Sequence, residues 1–401
     1  MRALVVGGGI AGPATAMALQ HVGVEATVLE RRDRPDPEQG SYFTIAPNGL
    51  HALDLVGARE AVLRAGGFPT RRNVMVGASG RTLGTISLGR PLPDGTVAMT
   101  VKRSRLGAEL VQEARRRGIE VRTGARVVHA TTNPRGAAVR LEDGTELEAD
   151  LVVGADGVHS VVRAAIDPGA PGRRFVGLTN FGGITRSTPL AAGLPEEAWH
   201  FVFGRRAFLG AHRTPTGDVV WFVNLPRHPI PPAERASTSD DEWRRILAGA
   251  LEDDAGPGAE LVRTGELELA ADNTFDLPHV PTWHRGRLVV LGDAAHAPSP
   301  SSGQGAAMAL EDAVVLAGSV SGASSVEAGL ADFVRRRRER VERIVAVGAR
   351  SSSAKTPGPV GRLFRDAALR LVFRFLVTER SQDRITGYRV SWDAEPAADA
   401  A

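Results

Sequence analysis

Three stretches of the chain combine glycines, carboxylates and apolar runs at spacings that suit a ring-bearing, phosphate-bearing ligand. In LVVLGDAAHAPSPSSGQGAAMALEDA, Leu288 to Ala313, an apolar run ends at Gly292-Asp293, and a Ser/Pro-rich run leads to Gly303-Gln304-Gly305 before a helical pattern. A carboxylate at a strand end accepts hydrogen bonds from hydroxyls. Bare backbone N–H groups at a helix N-terminus face an electron-rich ring and stabilise negative charge on it. The candidate residues here are Asp293, Pro300, Gly303, Gly305 and Ala306.

At the other end of the chain, Gly7-Gly8-Gly9-Ile10-Ala11-Gly12 matches G-x-G-x-x-G. Gly7 allows the tight turn, Gly9 lets a pyrophosphate approach the backbone, and Gly12 lets helix and strand pack closely. Ala11 lies at the helix start, and Glu30, 18 residues beyond Gly12, is placed to take ribose hydroxyls. NAD and FAD both fit this turn, and so does a turn that binds nothing. Glu30 disfavours NADP through repulsion of a 2′-phosphate, an argument that Arg31 and Arg32 oppose; Arg31 is itself a candidate contact. The third stretch, DLVVGADGVHSVVR from Asp150 to Arg163, ends an apolar strand in Gly-Ala-Asp-Gly. Asp156 is its candidate, although an ordinary Asp-Gly turn reads the same way. Asp293 suits the ribityl hydroxyls of a flavin, and a nicotinamide has no ribityl chain, so the three together point to FAD.

The elements that position these residues follow from apolar patterning. Ala3–Val6, the glycine turn, a helix over Pro13–His21 and a strand over Glu25–Leu29 make a β-α-β unit of dinucleotide-binding size. Helices are predicted over Asn48–Ala65, Ser104–Arg117, Trp243–Leu251, Ala306–Val320 and Val326–Ala346, with apolar parallel-type strands at Leu151–Gly154 and Leu288–Leu291. Short runs between turns over Val74–Thr100 and Phe175–Pro226 read as antiparallel sheet. The fold class is therefore α/β: a Rossmann-like FAD-binding domain with an inserted antiparallel β-sheet substrate domain and C-terminal helices. The expected division is 1–72, 99–174 and 279–345 for a discontinuous FAD-binding domain, 73–98 and 175–278 for the substrate-binding β-domain, and 346–401 for a C-terminal helical segment. In that last segment Ser351–Gly361 reads as a linker, and the apolar stripe of FRDAALRLVFRFL, Phe364–Leu376, is expected to pack on the FAD domain.

With 401 residues, 42% of them hydrophobic, the chain can bury a full core. Its formal charge is only +3, yet its sequence pI is 9.9 because nearly all its cations are arginine, which stays charged far above neutral pH, with lysine only at Lys102 and Lys355. Nucleic acid is not an expected partner. The absence of cysteine excludes thiolate chemistry, disulfides and iron–sulfur clusters. No apolar run reaches the roughly 18 residues of a spanning helix, and the N-terminus enters a strand directly, so a cytoplasmic location is expected.

Taken together, GGGIAG, DLVVGADGVHSVVR and GDAAHAPSPSSGQGAAMALEDA resemble the single-component, FAD-dependent aromatic hydroxylases, the group A flavoprotein monooxygenases with the p-hydroxybenzoate hydroxylase fold. Order and spacing match across about residues 1–345. The resemblance implies that NAD(P)H reduces the FAD and that one oxygen atom reaches an aromatic or polyketide-type substrate through a flavin C4a-hydroperoxide. NADH and NADPH both remain open as the co-substrate. It implies that the middle motif touches FAD and, indirectly, the pyridine nucleotide. It also implies an arginine contact to FAD at Arg103, with Arg105 as the competitor. Where the family often has asparagine after Gly-Gln-Gly-x, this chain has Ala307.

Such chemistry needs orientation, a dry pocket and charge control rather than a triad or a metal, and the ten histidines show no metal-ligand spacing. No catalytic residue is assigned; His296 reads as structural. Alternation places Val219, Trp221 and Val223 on one face of a strand, and Phe203, His212 and Trp221 are the candidate substrate contacts. Thr44–Pro47 are expected to border the flavin. The rival readings are a flavin reductase or dehydrogenase of the same fold, a halogenase, and an FAD-bound sequestering protein. The halogenase reading lacks its second tryptophan in Trp221-Phe-Val-Asn-Leu-Pro226. Biosynthetic, drug-inactivating and catabolic roles stay open, as do monomer and homodimer.

Overall fold

The computed structural model describes residues 1–34, 36–277, 279–298, 303–353, 366–373 and 379–392. Pro300, most of Ser351–Gly361 and the ends of the expected final helix lie outside them.

A six-stranded sheet orders His284–Arg285, Leu288–Val290, Leu151–Gly154, Arg2–Val6, Glu25–Leu29 and Glu120–Arg122 side by side. All its pairs are parallel except the edge strand His284–Arg285. The central strands are unbroken apolar runs because helices cover both faces, and Leu151, Val152 and Val153 have no exposed surface. The register aligns Leu29, Val6, Gly154 and Val290 across four neighbouring strands. The glycine turn, Glu30, the Gly-Ala-Asp-Gly turn and the Gly292-Asp293 turn therefore leave one sheet edge together. Carboxyl ends of parallel strands form the ligand crevice of such sheets.

A second, seven-stranded sheet runs Glu266–Asp276, Arg174–Thr185, Val219–Pro226, Phe208–Arg213, Ala198–Phe203, Arg72–Gly77, Thr82–Ser87. It is antiparallel except for one pair, Arg72–Gly77 with Ala198–Phe203, which is parallel. That corrects the purely antiparallel expectation. The chain between these two strands supplies two strands of the nucleotide-binding sheet, Glu120–Arg122 and Leu151–Gly154, and only such a long crossover can join parallel neighbours. Helices Asp240–Leu251 and Gly258–Thr264 cover one face, packing Trp243 and Leu261 onto Phe181, Val219, Trp221 and Val223.

The expected helix Asn48–Ala65 is two helices, Pro47–Leu55 and Glu60–Arg64, separated by Gly57 at φ 66°. The helical segment 366–373 does not pack on the FAD-binding sheet as expected. Leu369 and Phe373 join Met75, Leu83, Phe203 and Phe208 on the open face of the seven-stranded sheet. An apolar stripe settles where apolar surface is otherwise uncovered. The segment beyond it returns to the nucleotide-binding side, where Trp392 stacks on His21 with ring centroids 4.5 Å apart. No helix among the described residues is long and apolar enough to cross a membrane.

The glycine turn yields a discriminating pair of variants. A Cβ on Gly12 would lie 1.8 Å from the Gly7 carbonyl oxygen, whereas one on Gly9 meets nothing within 4 Å. Gly12→Ala should lose about 1–3 kcal/mol or more in denaturant unfolding, and Gly9→Ala should stay within about 0.5 kcal/mol of the parent.

Candidate functional site

Gly7 sits at φ 111°, and a Cβ there would be 2.4 Å from the Ala155 carbonyl oxygen. The first and second motifs are thus in direct contact. Glu30 accepts the Gly8 N–H through Oε2 at 2.7 Å and the Arg32 N–H through Oε1 at 2.9 Å. Its carboxylate is fixed beside the turn and still borders the large cavity described below, as do Gly7, Gly9, Ala11 and Arg31. Gly12 is instead packed beneath the turn, against Gly7 and Val5.

Asp156 borders the same cavity while capping the short helix Val161–Ile166, its Oδ2 accepting the Val161 N–H at 2.8 Å. Burial pushes its carboxyl up. Arg163, from the end of this motif, donates to the Ala294 carbonyl at 2.9 Å and to the Val158 carbonyl at 2.7 Å. It staples the middle motif to the third.

In the third motif, Asp293 Oδ2 accepts from Arg103 Nη2 at 3.2 Å, and both residues border the cavity. Arg105 turns to Glu38, donating at 3.0 and 2.7 Å. Between the two candidate arginines the geometry favours Arg103. Gly303, at φ 62°, and the helix start at Gly305 and Ala306 also border the cavity. Ala307, where the chain departs from the family pattern, packs on a neighbouring helix. It is buried against helix Pro47–Leu55, where a Cβ on Gly49 would lie 2.9 Å from the Ala307 Cβ. His296 is buried and paired through Nε2 with Asp312 Oδ2 at 2.5 Å, in keeping with a structural role.

Asp312 belongs to a buried ionic cluster that the motifs share. Arg337, on helix Val326–Ser353, bridges Asp312 and Glu311 at 2.7 Å each, and all three have no exposed side-chain surface. Asp312 also accepts the Gly292 N–H at 3.0 Å. Glu311 accepts from Arg340 at 2.9 Å and from Asn48 at 2.7 Å, and Asn48 donates to Gln304 at 3.0 Å. His296 and Arg337 hold the Asp312 carboxyl well below the usual range despite its burial.

One cavity of about 3590 Å³ runs from the glycine turn to the open face of the seven-stranded sheet. It fits FAD on two observations: the glycine cradle at Gly9 is open where a side chain would fill it, and carboxylates stand at the two strand ends where ribose and ribityl hydroxyls need acceptors. Phe203 borders this cavity. Trp221 does not, and that expectation is corrected. It faces the helix layer, donating from Nε1 to Thr185 Oγ1 at 3.0 Å. The alternation itself is as read, but the cavity face belongs to the residues between, Phe222 and Asn224. His212 is likewise corrected. It lies behind Trp199 and Phe68, its ring centroid 5.3 Å and 5.0 Å from theirs, with Nδ1 donating to the Arg213 carbonyl and Nε2 meeting Thr70. Trp199 and Phe201, on a strand expected to carry pocket residues, stand on the cavity wall, and so do Asn73, Glu268 and Tyr42, which were not expected as substrate contacts. The density of Phe and Trp in Trp199–Phe208 was the available signal. Burial pushes the Tyr42 phenol up to about 12, so it stays protonated at neutral pH. No cluster of metal-ligating residues exists among the described residues.

A family model described as FAD binding domain matches residues 1–347. The FAD-dependent urate hydroxylase of Klebsiella pneumoniae is 28% identical over 350 residues, covering 86% of this chain and 88% of that one. The 2-heptyl-3-hydroxy-4(1H)-quinolone synthase of Mycobacteroides abscessus is 34% identical over 349 residues, covering 84% and 86%. Among solved structures, Klebsiella pneumoniae HpxO complexed with FAD and uric acid superposes with a TM-score of 0.81 at 24% identity, covering 96% of each chain.

Two measurements check this account of the interior. Arg337→Met removes the shared counter-ion from two buried carboxylates and should cost about 3–5 kcal/mol in denaturant unfolding. Burial lowers the His212 imidazole from 6.5 to about 4, so the folded protein binds fewer protons than the unfolded chain between those values. Stability then rises with pH across that window, by about 2–3 kcal/mol from this residue. His212→Gln should remove that part of the slope in unfolding measured at pH 4.5 and 7.

Proposed function

The chain belongs to the family of FAD-dependent aromatic monooxygenases, and from that premise we propose that it hydroxylates a planar aromatic or heteroaromatic small molecule held against the aromatic face of its inserted sheet. FAD is the resident cofactor, and NAD(P)H and dioxygen are the co-substrates. When bound, FAD takes a hydride from the pyridine nucleotide and activates dioxygen for transfer of one oxygen atom.

The chain's own residues bind, orient and exclude water. Glu30 and Asp293, on strand ends brought to one edge, offer acceptors to sugar and ribityl hydroxyls, and Arg103 sets a positive charge beside Asp293. The N-terminus of helix Gly305–Ser321 directs its unsatisfied N–H groups and dipole toward negative charge on the ring. Trp199, Phe201 and Phe222 form an apolar wall, and Phe373 adds to it from the C-terminal segment. Such a wall favours flat, apolar ligands and keeps water from the reacting atoms. The urate hydroxylase and the quinolone synthase are named for nitrogen heterocycles, which supports a heteroaromatic substrate here. Sheet membership supports the division into a discontinuous FAD-binding domain and an inserted substrate domain. A cytoplasmic monomer or homodimer completes the proposal.

The observation that carries this reading is the common register of Leu29, Val6, Gly154 and Val290, which delivers all three motifs to one cavity. The purified protein should be yellow, and a suitable aromatic ligand should accelerate anaerobic bleaching by NAD(P)H. On re-aeration with labelled dioxygen the product should carry one labelled atom. Colourless protein that takes up no FAD would sink the reading. Hydride consumption without label in any product would reassign the protein as a reductase.

A further inference from the structure

One row of the seven-stranded sheet changes character along its length. Directly paired positions run Asp272, Asn180, Asn224, Phe208 and Phe203 across five neighbouring strands, and all five residues border the cavity. Paired residues of antiparallel strands project to the same side of a sheet. The sequence neighbours Ala271, Phe181 and Val223 pack on the helices instead, so this row stands on the cavity face. Its inner end is aromatic. Its outer end, at the edge strand Glu266–Asp276, is polar.

Two groups at the polar end meet the cavity without a partner. Asn224 donates from Nδ2 to Asn180 Oδ1 at 2.9 Å, which fixes the Asn180 amide. The Asn180 Nδ2 then has no acceptor among the described residues, and it is not sealed from solvent. Asp272 is exposed and makes no hydrogen bond or ion pair with a described residue. Its exposure is to an enclosed space, because burial pushes its carboxyl up against the pull of Arg235 and Arg103. Arg103 is itself engaged with Asp293. A carboxylate so placed gains most from a donor that enters with the ligand. Neighbouring strands lie about 4.8 Å apart, so both side chains can reach one ring edge.

We propose that Asn180 and Asp272 form a substrate-recognition pair, Asn180 donating to a ring carbonyl and Asp272 accepting from the adjacent ring N–H of a cyclic amide or ureide. The apolar end of that ring lies toward Phe208 and Phe203. The site then selects lactam rings over their N-methylated counterparts. The inference rests on the monooxygenase reading for the identity of the cavity's occupant.

The test uses the full chain loaded with FAD. Uric acid and 2-quinolone, each beside its fully N-methylated counterpart, are titrated by calorimetry into wild type, Asp272→Ala and Asn180→Leu, with quinoline as the ring that lacks both groups. At least one parent ring should bind wild type about tenfold or more tightly than its methylated form, the effect of one hydrogen bond to a charged acceptor. Asp272→Ala should erase that preference. Because Asp272 is exposed and unpaired, this replacement should leave the fold intact. Asn180→Leu should weaken parent and methylated rings alike, about fivefold or more, and leave quinoline unchanged. No preference in wild type, or a preference that survives in Asp272→Ala, overturns the proposal. A loss in Asn180→Leu that extends equally to quinoline, or no loss at all, overturns the pairing. The wild-type comparison needs no variant to fold. A parent ring that binds with the preference but gains no labelled oxygen would defeat the monooxygenase reading alone. Labelled product from rings that bind alike in wild type and Asp272→Ala would defeat the recognition pair alone.

Discussion

A buried arginine holds the cofactor end of this protein together. Arg337 bridges Asp312 and Glu311 with no side-chain surface exposed, and each carboxylate reaches onward to a different turn. Asp312 receives the Gly292 N–H, one residue before Asp293, while Glu311 receives Asn48, which in turn holds Gln304 between Gly303 and Gly305. Both halves of the third motif are therefore referenced to one helix, Gly305–Ser321, and through Arg337 and Arg340 to the helix packed on it. A buried ion pair of this kind adds little net stability over a well-packed apolar core, because desolvation offsets the attraction. Its effect is directional: charges and hydrogen bonds admit one arrangement where apolar contacts admit many.

The same economy shapes the substrate end. A single sheet separates two environments by the parity of its strands. Val219, Trp221 and Val223 meet the helices, and Phe222 and Asn224 meet the cavity. The aromatic wall is closed from the far side by residues 366–373, so the chain's C-terminal segment contributes to a pocket begun by its first strands. Little of this wall is charged. The exceptions include Glu268 and Arg186 at one edge of the sheet, with Lys102 buried behind Glu268.

Much of the nucleotide-binding half was legible because its signals are local. A tight turn, a close helix and an open approach each demand glycine at a particular step, and Gly7, Gly12 and Gly9 show those three environments separately. The strands flanking them read clearly because central parallel strands are apolar throughout. Short-range steric needs write themselves into short sequence patterns. The break at Gly57 within the expected helix Asn48–Ala65 was also a local signal, and it was passed over.

The sequence by itself determined the α/β class, the three glycine-bearing turns that line the cavity and which residues of a strand share a face. Only the tertiary structure decided which face that was, turning Trp221 into the core and Phe222 toward the cavity. It also decided that Arg103 rather than Arg105 meets Asp293, that His212 is sealed behind Trp199, and that Arg72–Gly77 pairs in parallel with a strand more than a hundred residues away. These outcomes share a physical reason. Alternation and propensity act between residues a few positions apart, whereas burial, counter-ion choice and strand partnership depend on what distant segments bring to the same place.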